Sequence, residues 1–310
     1  MRNSFFRYLD AEMERDSKIV LIFADMGKGI IEDFKLRYPN RVLNIGIAEQ
    51  NLISMAAGLA AMGYTPYCYT ISNFITERCY EQIRNDICIP GYKVVLIGTS
   101  TGFDSGTEGV SHFSLEDIGV MKTLPDFNIY SPSTSDSVKS CFQEIYGSNK
   151  SSYIRLGKYP FQNQLEAGCN FFVLKREKPN ILFLTYGDTV EYCYRCGQQF
   201  DCVSVFTMSC IVPLDKELLR KLLLEYSYVI VVEEQLEQCG LYNMICQEII
   251  TNKLSYYSIK CIAIKRYCNE IGSRSYFAEM YGYSEKRLNE IVDDLLIDLN
   301  KETSKYESRF

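Results

Sequence analysis

Histidine is nearly absent from this 310-residue chain, with His112 the single example. A zinc site built from several histidines is therefore excluded, and neutral-pH proton traffic through an imidazole has one candidate. Long apolar runs are missing too: none reaches the roughly 18 residues of a membrane-spanning helix. The stretch Met1 to Tyr8 lacks the apolar core of a secretory signal, so a cytoplasmic protein is expected, without a membrane partner. Basic charge is also scarce. A net charge of −6 and a pI near 5.1 argue against a nucleic-acid backbone or an anionic membrane as partner. Neither a Walker loop nor a Gly-x-Gly-x-x-Gly fingerprint opens a helix.

Cysteine is plentiful at 13 residues, but scattered and odd in number. Under reducing conditions such cysteines are most simply small buried hydrophobes. Cys193-Tyr194-Arg195-Cys196 has no second pair at zinc spacing and falls inside a helical pattern, whereas a redox pair usually opens a helix. The structural reading is preferred.

The chain is 47% hydrophobic, enough for two α/β domains with proper cores. Residues 1–165 form the first, 166–180 a linker rich in polar residues, Gly and Pro, and 181–310 the second. Lys18 to Ala24 reads as a buried strand ending at Asp25-Met26-Gly27. Asn51 to Met62 has apolar residues at helical spacing, with small residues filling the rest. Tyr64 to Ile71 reads as a strand, Phe74 to Ile89 as a helix, Lys93 to Gly98 as an apolar strand, and Gly98 to Gly109 as a Gly-rich loop. The second domain carries strands at Ile181 to Tyr186, Val203 to Thr207, Val229 to Glu233 and Ile259 to Ile264, alternating with helices. Such alternation predicts an α/β fold of two domains, each a mainly parallel sheet with helices on both faces.

Chemistry concentrates in the run Asn44 to Asn51 (NIGIAEQN). Glu49 stands there among small and apolar neighbours at the start of a helix, poorly solvated, and favours a proton or a ring nitrogen over water. Taken in isolation, a Glu so placed is more often a carboxylate capping its helix. Three more groups complete the pattern: Asp25-Met26-Gly27, the segment Phe74 to Asp86 (FITERCYEQIRND), and Gly106 to His112 (GTEGVSH). Later come Tyr153-Ile154-Arg155-Leu156 and Pro213-Leu214-Asp215. In this order the groups resemble the transketolase family over nearly the whole chain. The part resembled is the pyrimidine-binding domain of the thiamine-diphosphate fold followed by the transketolase C-terminal domain.

The resemblance implies roles residue by residue. Glu49 activates thiamine diphosphate by bonding its pyrimidine nitrogen, which favours the imino tautomer that can act as a base. Phe74 and Tyr80 hold the pyrimidine ring, with Ile71 nearby and Asp25 also at the cofactor; without the motif both aromatics would be read as core. His112 faces the substrate, together with Glu108, Ser100, Arg155 and Lys158. Arg155 can bind a phosphate or carboxylate, or else form a structural ion pair. Departures include Glu108 where Asp is usual, and Phe113 in place of Gln, which should make the pocket less polar.

The Gly-Asp-Gly motif with a following Asn, which holds the diphosphate and its metal in transketolases, has no match; Gly187-Asp188-Thr189 lacks the second glycine. No metal site is therefore assigned here. The resemblance implies a partner, an N-terminal transketolase-like subunit holding the diphosphate with Mg²⁺ or Ca²⁺, in an α2β2 assembly with self-association of this chain. The expected activity is transfer of a two-carbon ketol unit from a ketose-type donor to an aldehyde-type acceptor, with a small sugar or sugar-phosphate substrate. A condensation like that of 1-deoxyxylulose-5-phosphate synthase, a 2-oxoacid dehydrogenase beta chain and a non-catalytic scaffold remain open.

Overall fold

A computed structural model describes residues 1–27, 29–162 and 168–307, with side chains described as far as residue 299. Among these residues there are twelve strands: β1 (Ile19–Phe23), β2 (Val42–Asn44), β3 (Thr65–Ile71), β4 (Val95–Thr99), β5 (Phe127–Tyr130), β6 (Ser151–Leu156), β7 (Asn170–Leu174), β8 (Ile181–Thr185), β9 (Val203–Met208), β10 (Cys210–Val212), β11 (Tyr228–Leu236) and β12 (Ile259–Ile264). They form two sheets, ordered β10-β5-β6-β4-β3-β1-β2 and β12-β11-β8-β9-β7. All pairings are parallel except β10 with β5 and β7 with β9. The mainly parallel α/β architecture is as the alternation implied.

Burial on both sides explains the strand composition. All five residues of β1 (IVLIF) and of β4 (VLIGT) are buried, as a sheet covered on both faces requires. A fully buried Ile, Leu, Val or Phe contributes about 1.5–3 kcal/mol. Helix Arg2–Arg15, which the sequence had not revealed, lays Phe5, Phe6, Leu9 and Met13 on one face of the first sheet. On the opposite face, helix Glu49–Ala61 buries Leu52, Ile53, Ala56 and Ala57. That second cluster runs on without a break into Leu184 and Phe206 of the other sheet and Leu222 and Ile245 of the helices that cover it, so the two halves share one core.

Two short strands cross the boundary drawn from the sequence. Residues 166–180 were expected as a linker, yet Asn170–Leu174 pairs with β9 as an edge strand. Its apolar run Phe171-Phe172-Val173-Leu174 packs on the second sheet, a signal masked by the flanking polar residues. The 165/166 division itself lies outside the described residues. In the other direction, β10 leaves the second half and closes the edge of the first sheet, with Cys210 opposite Tyr130.

The expected helix over 74–89 is broken. Ser72–Thr76 is helical, residues 77–79 turn, Tyr80–Gln82 resumes, and Ile83–Cys88 is wound as a wider π-helix. Such bulges often mark functional sites. Asp215 of the Pro-Leu-Asp motif caps helix Lys216–Glu225, accepting from the Leu218 N–H at 3.0 Å. Cys193 and Cys196 lie buried inside helix Val190–Gln199, where burial pushes both thiols up, Cys196 to about 12. They pack as hydrophobes and present no thiolate at neutral pH. Among the described residues no helix is long and apolar enough to cross a membrane.

Candidate active site

Parallel strands deliver the loops after their carboxyl ends to one edge of a sheet. In the first sheet Phe23 lies beside Asn44 and Tyr69, and Thr99 lies beside Ile71 and Leu156. Asp25, the Glu49 run, helix Ser72–Thr76 and the loop from Ser100 therefore leave from a common edge. Asn44 shapes the entry to Glu49. Its side-chain oxygen accepts from the N–H groups of Asp25 (3.1 Å) and Gly46 (3.0 Å), and its amide donates to Asp25 Oδ1 at 3.1 Å. The chain then bends at Gly46, whose φ of 75° favours glycine. The Asp25 carboxylate is used in this bend.

Glu49 is the first residue of helix Glu49–Ala61 and is 6% exposed. The helix dipole favours a negative charge there. Its partner is Arg78, whose Nη1 lies 3.3 Å from Glu49 Oε2. The Arg78 guanidinium also lies 3.6 Å from the centroid of the Phe74 ring, and its backbone carbonyl accepts from the Gln50 amide at 3.0 Å. Phe74 in turn meets the His112 ring at 5.2 Å between centroids. His112 Nε2 is 3.2 Å from Glu108 Oε2, and its Nδ1 is 3.1 Å from Ser111 Oγ. Asn73 donates to the Ser111 carbonyl at 2.8 Å, tying this loop to the Phe74 helix. The result is one continuous path, Glu49–Arg78–Phe74–His112–Glu108.

The second half of the chain holds the His112 loop from behind. Phe103 stacks on Phe277 at 4.2 Å, and Phe113 packs edge-on against both rings. Phe113, expected to line the pocket, is instead buried in this interdomain aromatic cluster, because these rings and Leu115 offer it a dry packing site. The Gly272 N–H donates to the Gly106 carbonyl at 3.2 Å, and a Cβ on Gly106 would lie 2.6 Å from the Gly272 oxygen. Deeper, Arg274 joins three carboxylates: Glu234 at 2.7 Å, Asp188 at 3.8 Å and Asp104 at 4.0 Å. Burial raises Asp104 and Asp188, with Arg274 opposing the rise in both. Asp188 is thus part of a buried charge cluster. Among the described residues no group of three or more His, Cys, Asp or Glu is arranged to hold a metal.

Other expected site residues are placed elsewhere or otherwise engaged. Arg155, expected to bind substrate, is 3% exposed and donates through Nε to Asp117 Oδ2 at 2.6 Å. Tyr153 and Gln235 also donate to Asp117, at 2.6 and 2.7 Å. Arg155 is a buried structural ion pair, for the physical reason that Asp117 is fully enclosed and needs a cation. The Tyr80 hydroxyl bonds Thr123 Oγ1 at 2.7 Å, and its ring packs against the core. It takes no part in the Glu49–Glu108 path. Lys158 Nζ donates to the Asp104 carbonyl (3.0 Å) and to Ser105 Oγ (3.2 Å), bracing the loop. Ser100 is buried in a left-handed backbone conformation just after β4, and Ile71 is half-buried at the end of β3. Arg78, which completes the path, was not singled out from the sequence. Its signal was the four-residue spacing from Phe74, within one helical turn.

The arrangement fits a flat, protonatable heteroaromatic ring. Phe74 offers a π-face, Glu49 offers a shielded carboxylate at its edge, and a planar cation already makes both contacts.

Residues 1–162 match the transketolase pyrimidine-binding domain, and residues 172–288 the transketolase C-terminal domain. A 6-deoxy-6-sulfo-D-fructose transketolase subunit of Clostridium sp. (strain MSTE9) is 24% identical over 297 residues, covering 93% of this chain and 92% of that protein. An apulose-4-phosphate transketolase subunit of Phocaeicola vulgatus is 28% identical over 261 residues, covering 81% and 84%. The 1-deoxy-D-xylulose-5-phosphate synthase of Myxococcus xanthus is 29% identical over 247 residues, covering 77% of this chain but 42% of the synthase. The chain thus spans most of the two transketolase subunits and under half of the synthase. A split-gene transketolase, described as an inactive beta4 tetramer, shares the fold with a TM-score of 0.80 at 24% identity, covering 94% and 96%.

Proposed function

The chain belongs to the transketolase family, and from that premise we propose that it is the cofactor-activating subunit of a split thiamine-diphosphate-dependent transketolase. The observation that carries this reading is the continuous path from the shielded Glu49 across Phe74 to His112 and Glu108. When bound, thiamine diphosphate supplies a nucleophilic thiazolium carbon for a ketose carbonyl. Glu49 holds the proton at the pyrimidine nitrogen, and its enclosure strengthens that bond by excluding water. Phe74 packs the ring face. His112, oriented by Ser111 at Nδ1, holds or moves a proton on a substrate hydroxyl through Nε2, with Glu108 steadying the charged imidazole.

The diphosphate and its Mg²⁺ or Ca²⁺ belong, in this reading, to an N-terminal transketolase-like partner, in an α2β2 assembly where this chain also contacts its own copy. Two relatives, named as subunits of a sulfosugar and a phosphosugar transketolase, support a small anionic ketose as donor and an aldehyde as acceptor. The synthase relative favours, as second reading, a 1-deoxyxylulose-5-phosphate synthase-like condensation. Co-purification of the full chain with its partner, a cofactor titration and a donor–acceptor screen test the proposal. Turnover is expected only from the pair, with Glu49→Gln losing at least about 10²-fold. Turnover by this chain without a partner, or an unimpaired Glu49→Gln pair, would reject it.

A further inference from the structure

We propose that Arg78 is a stand-in for the cofactor ring: its guanidinium occupies the seat between Phe74 and Glu49 and must leave when the cofactor enters. The inference deepens the functional reading above and rests on it. Two observations carry it. The Arg78 guanidinium is centred 3.6 Å from the middle of the Phe74 ring, within the distance of a direct stack. From there its Nη1 reaches Glu49 Oε2 at 3.3 Å, so one flat cation satisfies the aromatic face and the carboxylate together. Those are the two contacts a protonated aminopyrimidine would make with the same residues.

The remaining geometry suits a removable occupant. The Arg78 side chain is 48% exposed while that of Glu49 is 7% exposed. The guanidinium can therefore withdraw into solvent without opening the core. Its backbone sits in the turn at 77–79 between two helical segments and is held by Gln50 through the carbonyl. The anchor is thus in the main chain and the long side chain is free to swing. Arg78 is the only ion-pair partner of Glu49 among the described residues. There it supplies the counter-charge of a buried carboxylate. A cofactor ring must compete with that pairing, so Arg78 weakens cofactor binding.

The test is calorimetric titration of thiamine diphosphate with Mg²⁺ into the complex of the full chain and its partner, comparing wild type with Arg78→Met and Arg78→Lys. Arg78→Met keeps the apolar stem and removes the planar cation. A half-exposed ion pair together with a cation–π stack predicts a Kd lower by roughly five- to thirtyfold. Arg78→Lys, which keeps the charge but loses the flat stack, should fall between. In the isolated full chain, Arg78→Met should also shift the ring resonances of His112, since Phe74 separates the two groups. Equal or weaker cofactor binding by Arg78→Met overturns the stand-in, because it means that Arg78 stays and helps to hold the ring. Should Arg78→Met not fold, Arg78→Lys decides alone by the same criterion. Binding by wild type without a gain in the variants rejects only this inference; no binding by any of the three rejects the functional reading with it.

Discussion

Replacing Arg155 with Met separates a structural role from a substrate-binding one. Asp117 is fully enclosed and receives bonds from Arg155, Tyr153 and Gln235 at 2.6–2.7 Å. Arg155→Met removes the only cation of that set and leaves a buried carboxylate with two neutral donors. Breaking a buried pair in this way costs about 3–5 kcal/mol, a large share of a domain's total stability of roughly 5–15 kcal/mol. With a urea dependence of about 3 kcal/mol per molar, the unfolding midpoint of the full chain should fall by about 1–1.7 M. Circular dichroism in a urea series measures it. Adding Asp117→Asn to Arg155→Met removes the orphaned charge and should recover more than half of the loss, the excess being the coupling of the pair. Donor KM in the assembled pair should move by less than about threefold where the variant is still folded, as expected of a residue that touches no substrate. A midpoint within about 0.3 M of wild type, with a donor KM raised tenfold or more, would refute the reasoning and return Arg155 to the substrate.

Three further outcomes are expected. His112→Asn should lower turnover of the pair by about 10²-fold or more while cofactor Kd stays within about threefold; a large cofactor effect would place the imidazole at the ring instead. Burial raises the Asp188 carboxyl in the folded chain, so the folded state holds its proton more tightly than the unfolded state. That contribution is complete below the unfolded value near 4 and is lost as pH rises toward the folded value. Asp188→Asn does not titrate, and its melting temperature relative to wild type should climb as pH increases from about 4; a relative fall over that range would contradict the cluster's electrostatics. Gly106→Ala drives a Cβ to 2.6 Å from the Gly272 oxygen and 2.7 Å from the Phe277 ring. Crowding of this kind costs about 1–3 kcal/mol, and loosening the His112 loop should lower turnover without weakening cofactor binding.

Glu49 and His112 drew notice as candidates because they are unusual where they stand, and the ordered motifs around them supplied their expected roles. A carboxylate among Ile47, Ala48 and Leu52 is an anomaly in its own segment, and a lone histidine in a Gly-rich loop has no competitor. The register of parallel strands then brings their loops to one edge without further information. Arg155 stayed open between an anion site and an ion pair because its fate depends on Asp117, 38 residues away in sequence. Phe113 was misread for the same reason, since its ring partner Phe277 comes from the far end of the chain. The Tyr80 hydroxyl is engaged by Thr123, a partner 43 residues on that the motif could not reveal. Arg78 lay within the motif at four residues from Phe74, but a charged residue on a helical repeat looks like a solvated face until its ring partner is in place. The edge strands β7 and β10 were missed because short runs carry little periodicity and are fixed by the sheet they join.

The placement of β10 limits how this chain can be divided. Families of this kind can be encoded as separate subunits, which requires cuts where each piece keeps its own hydrogen bonds. A cut after residue 162 would break that condition, because the strand that covers β5 is supplied from residues 210–212. The freed fragment would expose the backbone of Phe127–Tyr130 as an unpaired edge, a template for joining other chains. It would also divide the apolar cluster that joins the two halves. An engineered fission or domain exchange should therefore carry β10 with the first half.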